Sequence, residues 1–82
     1  MYTDEIVAMA LGQVRAGKLP CSTPHEEFGG PGENIPCDVC GVPIGREEME
    51  IEAIYPEFGN LHLHATCMNA LRAACAKLHP QH

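Results

Sequence analysis

Two pairs of metal-ligand residues constrain this chain more than any other feature. Cys37 and Cys40 have two residues between them, His64 and Cys67 likewise, and 23 residues separate the pairs. Tetrahedral Zn²⁺ takes sulfur and nitrogen donors in this pattern, because each short pair sets both its donors on one side of a tight turn. The reading is one structural Zn²⁺ held by Cys37, Cys40, His64 and Cys67. Such a metal meets a need of length: a chain of 82 residues buries only about 60% of the surface its unfolded form exposes and is marginal without a staple.

Large aromatic area comes only from Tyr2, Tyr55, Phe28 and Phe58, with no Trp, so the core must be small. Eleven acids oppose five bases for a formal charge of −6. Three thiolates on one Zn²⁺ make the charge more negative still. Arg15, Lys18, Arg46, Arg72 and Lys77 are scattered, whereas nucleic-acid affinity rests on clustered cations that neutralise phosphates. DNA and RNA are therefore not the expected partners. No apolar run nears the roughly 20 residues of a membrane span, and the start of the chain lacks the basic residues of a secretory signal. The expectation is a soluble, cytoplasmic protein. Five cysteines, an odd number, suit metal binding in a reducing compartment better than a disulfide framework.

Three segments are expected within one domain. Residues 1–19 hold an N-terminal helix, from about Thr3 to Ala16: Thr3 caps, Asp4 and Glu5 sit at the positive end of the dipole, and Ile6, Val7, Ala10, Leu11 and Val14 recur at helical spacing. Gly17 ends it, and Leu19 before Pro20 stays extended. This helix reads as a packing element over one side of the metal module. Residues 20–36, rich in Pro, Gly and acid, read as a mobile loop. The glycines there carry no phosphate signature, since no Lys-Ser/Thr follows and Glu26, Glu27 and Glu33 surround them. Cys21 and His25 read as a free thiol and an exposed imidazole.

Residues 37–79 form the metal-binding module. Cys37 to Gly41 is a knuckle. Met49 to Tyr55 alternates apolar and acidic residues, a half-buried strand with Glu50 and Glu52 on its wet face, and after a turn at 56–60 the segment Leu61 to His64 returns to complete a hairpin. From Ala65 or Thr66 to His79 an amphipathic helix places Cys67, Met68, Leu71, Cys75 and Leu78 on one side, with Pro80 forbidding continuation. Cys75 is spaced as a buried, inert thiol. The fold class is thus small α+β: helix, glycine-rich loop, knuckle, β-hairpin and C-terminal helix.

Knuckle, hairpin and a helix whose first turn carries the second ligand pair resembles a treble-clef zinc finger. The run from Cys37 to Cys67 is similar to the first zinc finger of LIM domains, which has the same donor types in the same order with a comparable gap. A LIM domain continues into a second finger, but Cys75 is the only later cysteine here, so the likeness is to a single finger and leaves the N-terminal helix and loop unaccounted for. The chain also resembles small uncharacterised bacterial proteins, a likeness that implies no activity. The LIM likeness implies protein binding as the role.

Other chemistries fit less well. A redox Cys-x2-Cys pair needs a following helix whose dipole depresses the first thiol's pKa, and Gly41-Val42-Pro43 follows instead. A catalytic zinc keeps an open position, which four protein donors fill. Treble-clef scaffolds also occur in His-metal nucleases, for which His62 is the nearest candidate base, but its surroundings are acidic. An alternative outside protein binding is zinc or thiol handling, with Cys21, His25, Cys75, His79 and His82 as labile donors. Between the two neighbouring histidines, His64 is assigned as ligand because it lies one helical turn before Cys67; His62 lies farther back along the strand and is left solvent-facing or behind the ligands.

Overall fold

The computed structural model describes residues 3–78. The expected cap at Thr3 rests on a side chain outside the described set, and His79, Pro80 and His82 also lie outside it. Helix α1 spans Thr3–Arg15, strands β1, β2 and β3 span Glu26–Pro31, Met49–Tyr55 and Gly59–His64, and helix α2 spans Ala65–Leu78. The three strands form one antiparallel sheet in the order β1-β2-β3. The chain is therefore small α+β, with two helices and a three-stranded sheet.

The C-terminus of α1 closes as the sequence suggests. Gly17 N–H donates to the Val14 carbonyl at 3.0 Å and Lys18 N–H to the Gln13 carbonyl at 2.9 Å, a paired arrangement that satisfies carbonyls a helix end otherwise leaves orphaned. Ile6, Val7 and Ala10 are buried, with Leu11 and Val14 packed beside them, and among the helices and strands α1 packs on α2. Helix α2 buries Cys67, Met68, Ala70, Leu71 and Ala74 and keeps Asn69, Arg72 and Lys77 exposed. Ala53 and Tyr55 of β2 and Leu61 and Leu63 of β3 complete the core from one sheet face.

The Pro/Gly-rich stretch departs from expectation. Instead of a featureless loop, its residues 26–31 pair with β2 from Glu26 opposite Ile54 to Pro31 opposite Met49, so the hairpin gains a third strand. Phe28 is the one β-favouring side chain in a segment of Glu, Gly and Pro, which is why composition hid the strand. The stretch then runs against the knuckle. Gly32 is buried, and a Cβ there would collide with the Ile44 and Gly45 carbonyl oxygens. Only glycine allows this approach.

Glu50 also departs from expectation. Alternation places it on the wet face with Glu52, yet it is 7% exposed, because His62 of β3 lies on the same face and its Nδ1 is 2.7 Å from Glu50 Oε2. Period-two alternation places a residue on a face, but neighbouring strands decide whether that face is wet.

Candidate metal centre

The knuckle forms where residues 34–37 run beside residues 42–44. Cys37 N–H donates to the Val42 carbonyl at 3.0 Å, Ile44 N–H to the Ile35 carbonyl at 2.9 Å, and Asn34 N–H to the Ile44 carbonyl at 2.8 Å. Between these arms Gly41, at φ +78°, turns the chain and donates to the Cys37 carbonyl at 2.9 Å. That left-handed conformation costs most other residues about 1 kcal/mol or more. The Cys37 Sγ accepts from Val39 N–H at 3.4 Å.

His64 ends β3 and Cys67 lies in the first turn of α2, so the strand-to-helix junction delivers the second pair. All four predicted residues converge: the donor atoms of Cys37, Cys40, His64 and Cys67 lie within 4.8 Å of one another. Two unrelated pairs would not meet in this way. His64 Nδ1 is 3.5 Å from Cys40 Sγ and 3.7 Å from Cys67 Sγ. Around a tetrahedral zinc with ordinary Zn–S and Zn–N bonds the N···S separation is about 3.6 Å. The donor set therefore fits a single metal ion, with Nδ1 as the imidazole donor.

The other face of the ring has a partner that sequence reasoning missed. His64 Nε2 lies 3.5 Å from Glu48 Oε1, and the same oxygen accepts from Gly45 N–H at 2.7 Å. A carboxylate behind a metal-binding imidazole helps to orient the ring. Nothing local in the sequence marks Glu48, which follows another glutamate in the turn before β2.

Asp38 is the second missed residue. Its N–H donates to the His62 carbonyl at 2.8 Å, and its Oδ2 accepts from His62 N–H at 2.7 Å. The knuckle is thereby fastened to the outer edge of β3, two residues before the imidazole donor. Gln13 of α1 reaches the Val39 carbonyl at 3.4 Å, and Ile6 borders a cavity shared with Cys40, His64 and Cys67, so α1 covers one side of the cluster.

The thiols differ in their ease of ionisation. Burial disfavours the Cys37 thiolate, but hydrogen bonds from the Cys40, His64 and Val39 backbones and from the His64 ring outweigh it and hold the thiol below its ordinary range. Cys67 is pushed strongly upward, first by burial and then by the charges of Cys37 and Cys40. A divalent cation at the centre reverses that repulsion.

Comparison of the chain with protein-family models, curated proteins and solved structures finds no match. The site therefore stands on its own geometry.

Four further residues fall elsewhere. His62 is on the face opposite the core and bonds Glu50, a contact that, ahead of the opposing effect of burial, raises its pKa. Cys21 and Cys75, expected as free thiols, instead form a disulfide, with Cα atoms 5.4 Å apart. Their separation of 54 residues leaves no sequence signal of pairing, since three other cysteines compete for the assignment. Cys37, Cys40 and Cys67 stay free. His25 is exposed, as expected. Among the described residues no helix is long and apolar enough to cross a membrane.

Proposed function

We propose that this chain is a structural zinc module, treble-clef-like and related in plan to a single LIM-type finger, whose folded surface binds another protein. The observation that carries the metal reading is the convergence of three cysteines and one histidine within 4.8 Å. Three thiolates and one imidazole favour zinc over magnesium or calcium, which prefer oxygen. Four protein donors close a tetrahedral sphere, so no catalytic role forms part of this reading, and nuclease chemistry at His62 is set aside. Burial of the ligands supports a structural role, because Cys37 and Cys67 are also core residues.

Zinc or thiol handling is the weaker reading. It needs labile donors beyond the centre, and the disulfide occupies Cys21 and Cys75. Zinc titration separates the two: one tight equivalent per chain supports the structural module, and additional equivalents lost on replacing His25 support handling. Protein binding is tested by capture from the native host. A partner retained by the zinc-loaded chain and lost by the His64→Ala chain supports it, and equal retention contradicts it. The cytoplasmic location is tested by alkylating thiols in intact cells. Reactive Cys21 and Cys75 support a reducing compartment, and a persistent disulfide places the chain in an oxidising one.

A further inference from the structure

Between the core face of the sheet, α2 and residues 20–24 lies a cavity of about 210 Å³. The register explains it. Glu27 lies opposite Ala53 and so shares a face with Ala53 and Tyr55 of β2, where its carboxylate takes Arg72 Nη2 of α2 at 2.8 and 2.9 Å. That exposed pair stands at the mouth, and the Cys21–Cys75 disulfide fixes residues 20–24 to the same helix. Tyr55, Met68 and Leu71, all buried, form the floor. None of the lining residues belongs to the Cys37, Cys40, His64 and Cys67 centre.

One polar group in this floor lacks its complement. Tyr55 is 2% exposed, and its hydroxyl makes no hydrogen bond among the described residues. It is not sealed in the core either, because among the described residues the side-chain oxygen that is both fully buried and unpaired is Glu50 Oε1. The Tyr55 hydroxyl therefore reaches open space. Glu27 and Arg72, which line the cavity, both act on the phenol by their charge, and this places the hydroxyl end of the ring at the cavity. Burial first, and then Glu27, hold the phenol protonated, so it is a donor that lacks an acceptor. The remaining floor is thioether, disulfide and aliphatic carbon, and the two charges at the mouth cancel.

We propose that this cavity binds a small uncharged aromatic molecule carrying one carbonyl, its ring against Met68, Leu71 and the disulfide and its oxygen accepting from the Tyr55 hydroxyl. An apolar floor with one placed polar group is the usual form of a small-molecule site. Size limits the ligand. An apolar cavity of about 150 Å³ accepts benzene, so about 210 Å³ suits one ring with a short substituent. The sulfur of Met68 favours an aromatic ring over an aliphatic one, since thioethers make favourable contacts at ring edges. A charged ligand fits less well: Glu27 and Arg72 already neutralise each other, and a charge carried to the floor would lose its water without gaining a counter-ion. The site depends on neither the metal reading nor the protein-binding reading.

The test is a backbone-amide NMR titration of the zinc-loaded full chain with acetophenone, with ethylbenzene, benzoate and N-acetyl-phenylalanine amide as comparators. Zinc content is measured first on the same sample, so failure of this site is distinct from failure of the metal reading. Saturable shifts at Tyr55, Met68, Leu71 and Cys75 are expected with acetophenone. Tyr55→Phe should weaken acetophenone binding about fivefold and leave ethylbenzene binding unchanged, a difference that altered packing alone would not produce. Absence of saturable shifts on a folded, zinc-loaded sample overturns the proposal. So does tighter binding of benzoate, an equal loss of both probes in Tyr55→Phe, or an acetophenone affinity indifferent to that substitution. Tighter binding of N-acetyl-phenylalanine amide also overturns it, by assigning the cavity to a side chain of a partner protein.

Discussion

Asp38 and His62 are joined twice, the Asp38 N–H donating to the His62 carbonyl at 2.8 Å and the Asp38 carboxylate accepting from His62 N–H at 2.7 Å. This pair locks the knuckle to the strand that carries the imidazole donor, so the two halves of the metal centre share one rigid support. Asp38→Ala removes the side-chain bond and leaves an edge N–H to water. A loss of about 1–2 kcal/mol in urea unfolding of the zinc-loaded chain is expected. Asp38→Asn, which keeps an acceptor oxygen, should lose less. Equal stability of wild type and Asp38→Ala would show that the pair is incidental.

The two neighbouring histidines should behave differently. His64→Ala removes a donor whose Nδ1 stands 3.5 Å from Cys40 Sγ and should abolish tight zinc binding. His62→Ala removes the partner of Glu50 and should keep one zinc per chain with a modest stability loss. Metal analysis after dialysis decides, and zinc loss in His62→Ala alone would reverse the assignment.

Glu48 should tune the centre without forming it. It stands behind His64 at 3.5 Å, and outer partners of metal-binding histidines are worth about 10–100-fold in affinity. Because the Glu48 side chain is 53% exposed, Glu48→Gln is expected near the lower end of that range in a competitive chelator titration. No change in affinity would remove Glu48 from the account.

The convergence of Cys37, Cys40, His64 and Cys67 on one cluster that could hold an ion was legible because coordination chemistry imposes short, fixed spacings, and both helices were legible because Ile6, Val7 and Ala10, and Met68 and Leu71, recur with helical period. What stayed hidden depends on contacts between distant segments. β1 is a strand because residues 26–31 have β2 to pair with, and nothing in Gly29-Gly30-Pro31 announces it. Glu50 is buried by its neighbour on β3, and Cys21 meets Cys75 only after α2 folds over the segment that follows α1. Glu48 and Asp38 belong to the same class, being ordinary acids until the turn and the strand edge bring them to the centre.

The disulfide closes a loop with a sequence separation of 54, and the chain-entropy relation assigns such a link about 4 kcal/mol. Cys21→Ser with Cys75→Ser should lower stability by up to that amount while retaining one zinc. Chemical unfolding with parallel metal analysis checks both. Loss of zinc in the double variant would mean that the link and the centre are not independent.

Tyr55 links stability to alkaline pH. Burial first, and then the charge of Glu27, raise its pKa above the ordinary value, against the opposing effect of Arg72. The folded state thus resists phenol ionisation, and stability is expected to fall as pH rises past the unfolded value of about 10. Tyr55→Phe should flatten that decline, which unfolding curves across the alkaline range would read. An unchanged decline would assign it to other groups.

The central claim is that Cys37, Cys40, His64 and Cys67 hold one structural zinc. X-ray absorption at the zinc edge of the purified, zinc-loaded chain tests it most directly, with circular dichroism recorded before and after complete chelation. The account predicts one equivalent with three sulfurs at about 2.3 Å and one nitrogen at about 2.0 Å, and unfolding of residues 37–78 once the metal is removed. A shell of oxygen and nitrogen, failure to retain zinc, or a fold indifferent to its removal would contradict it.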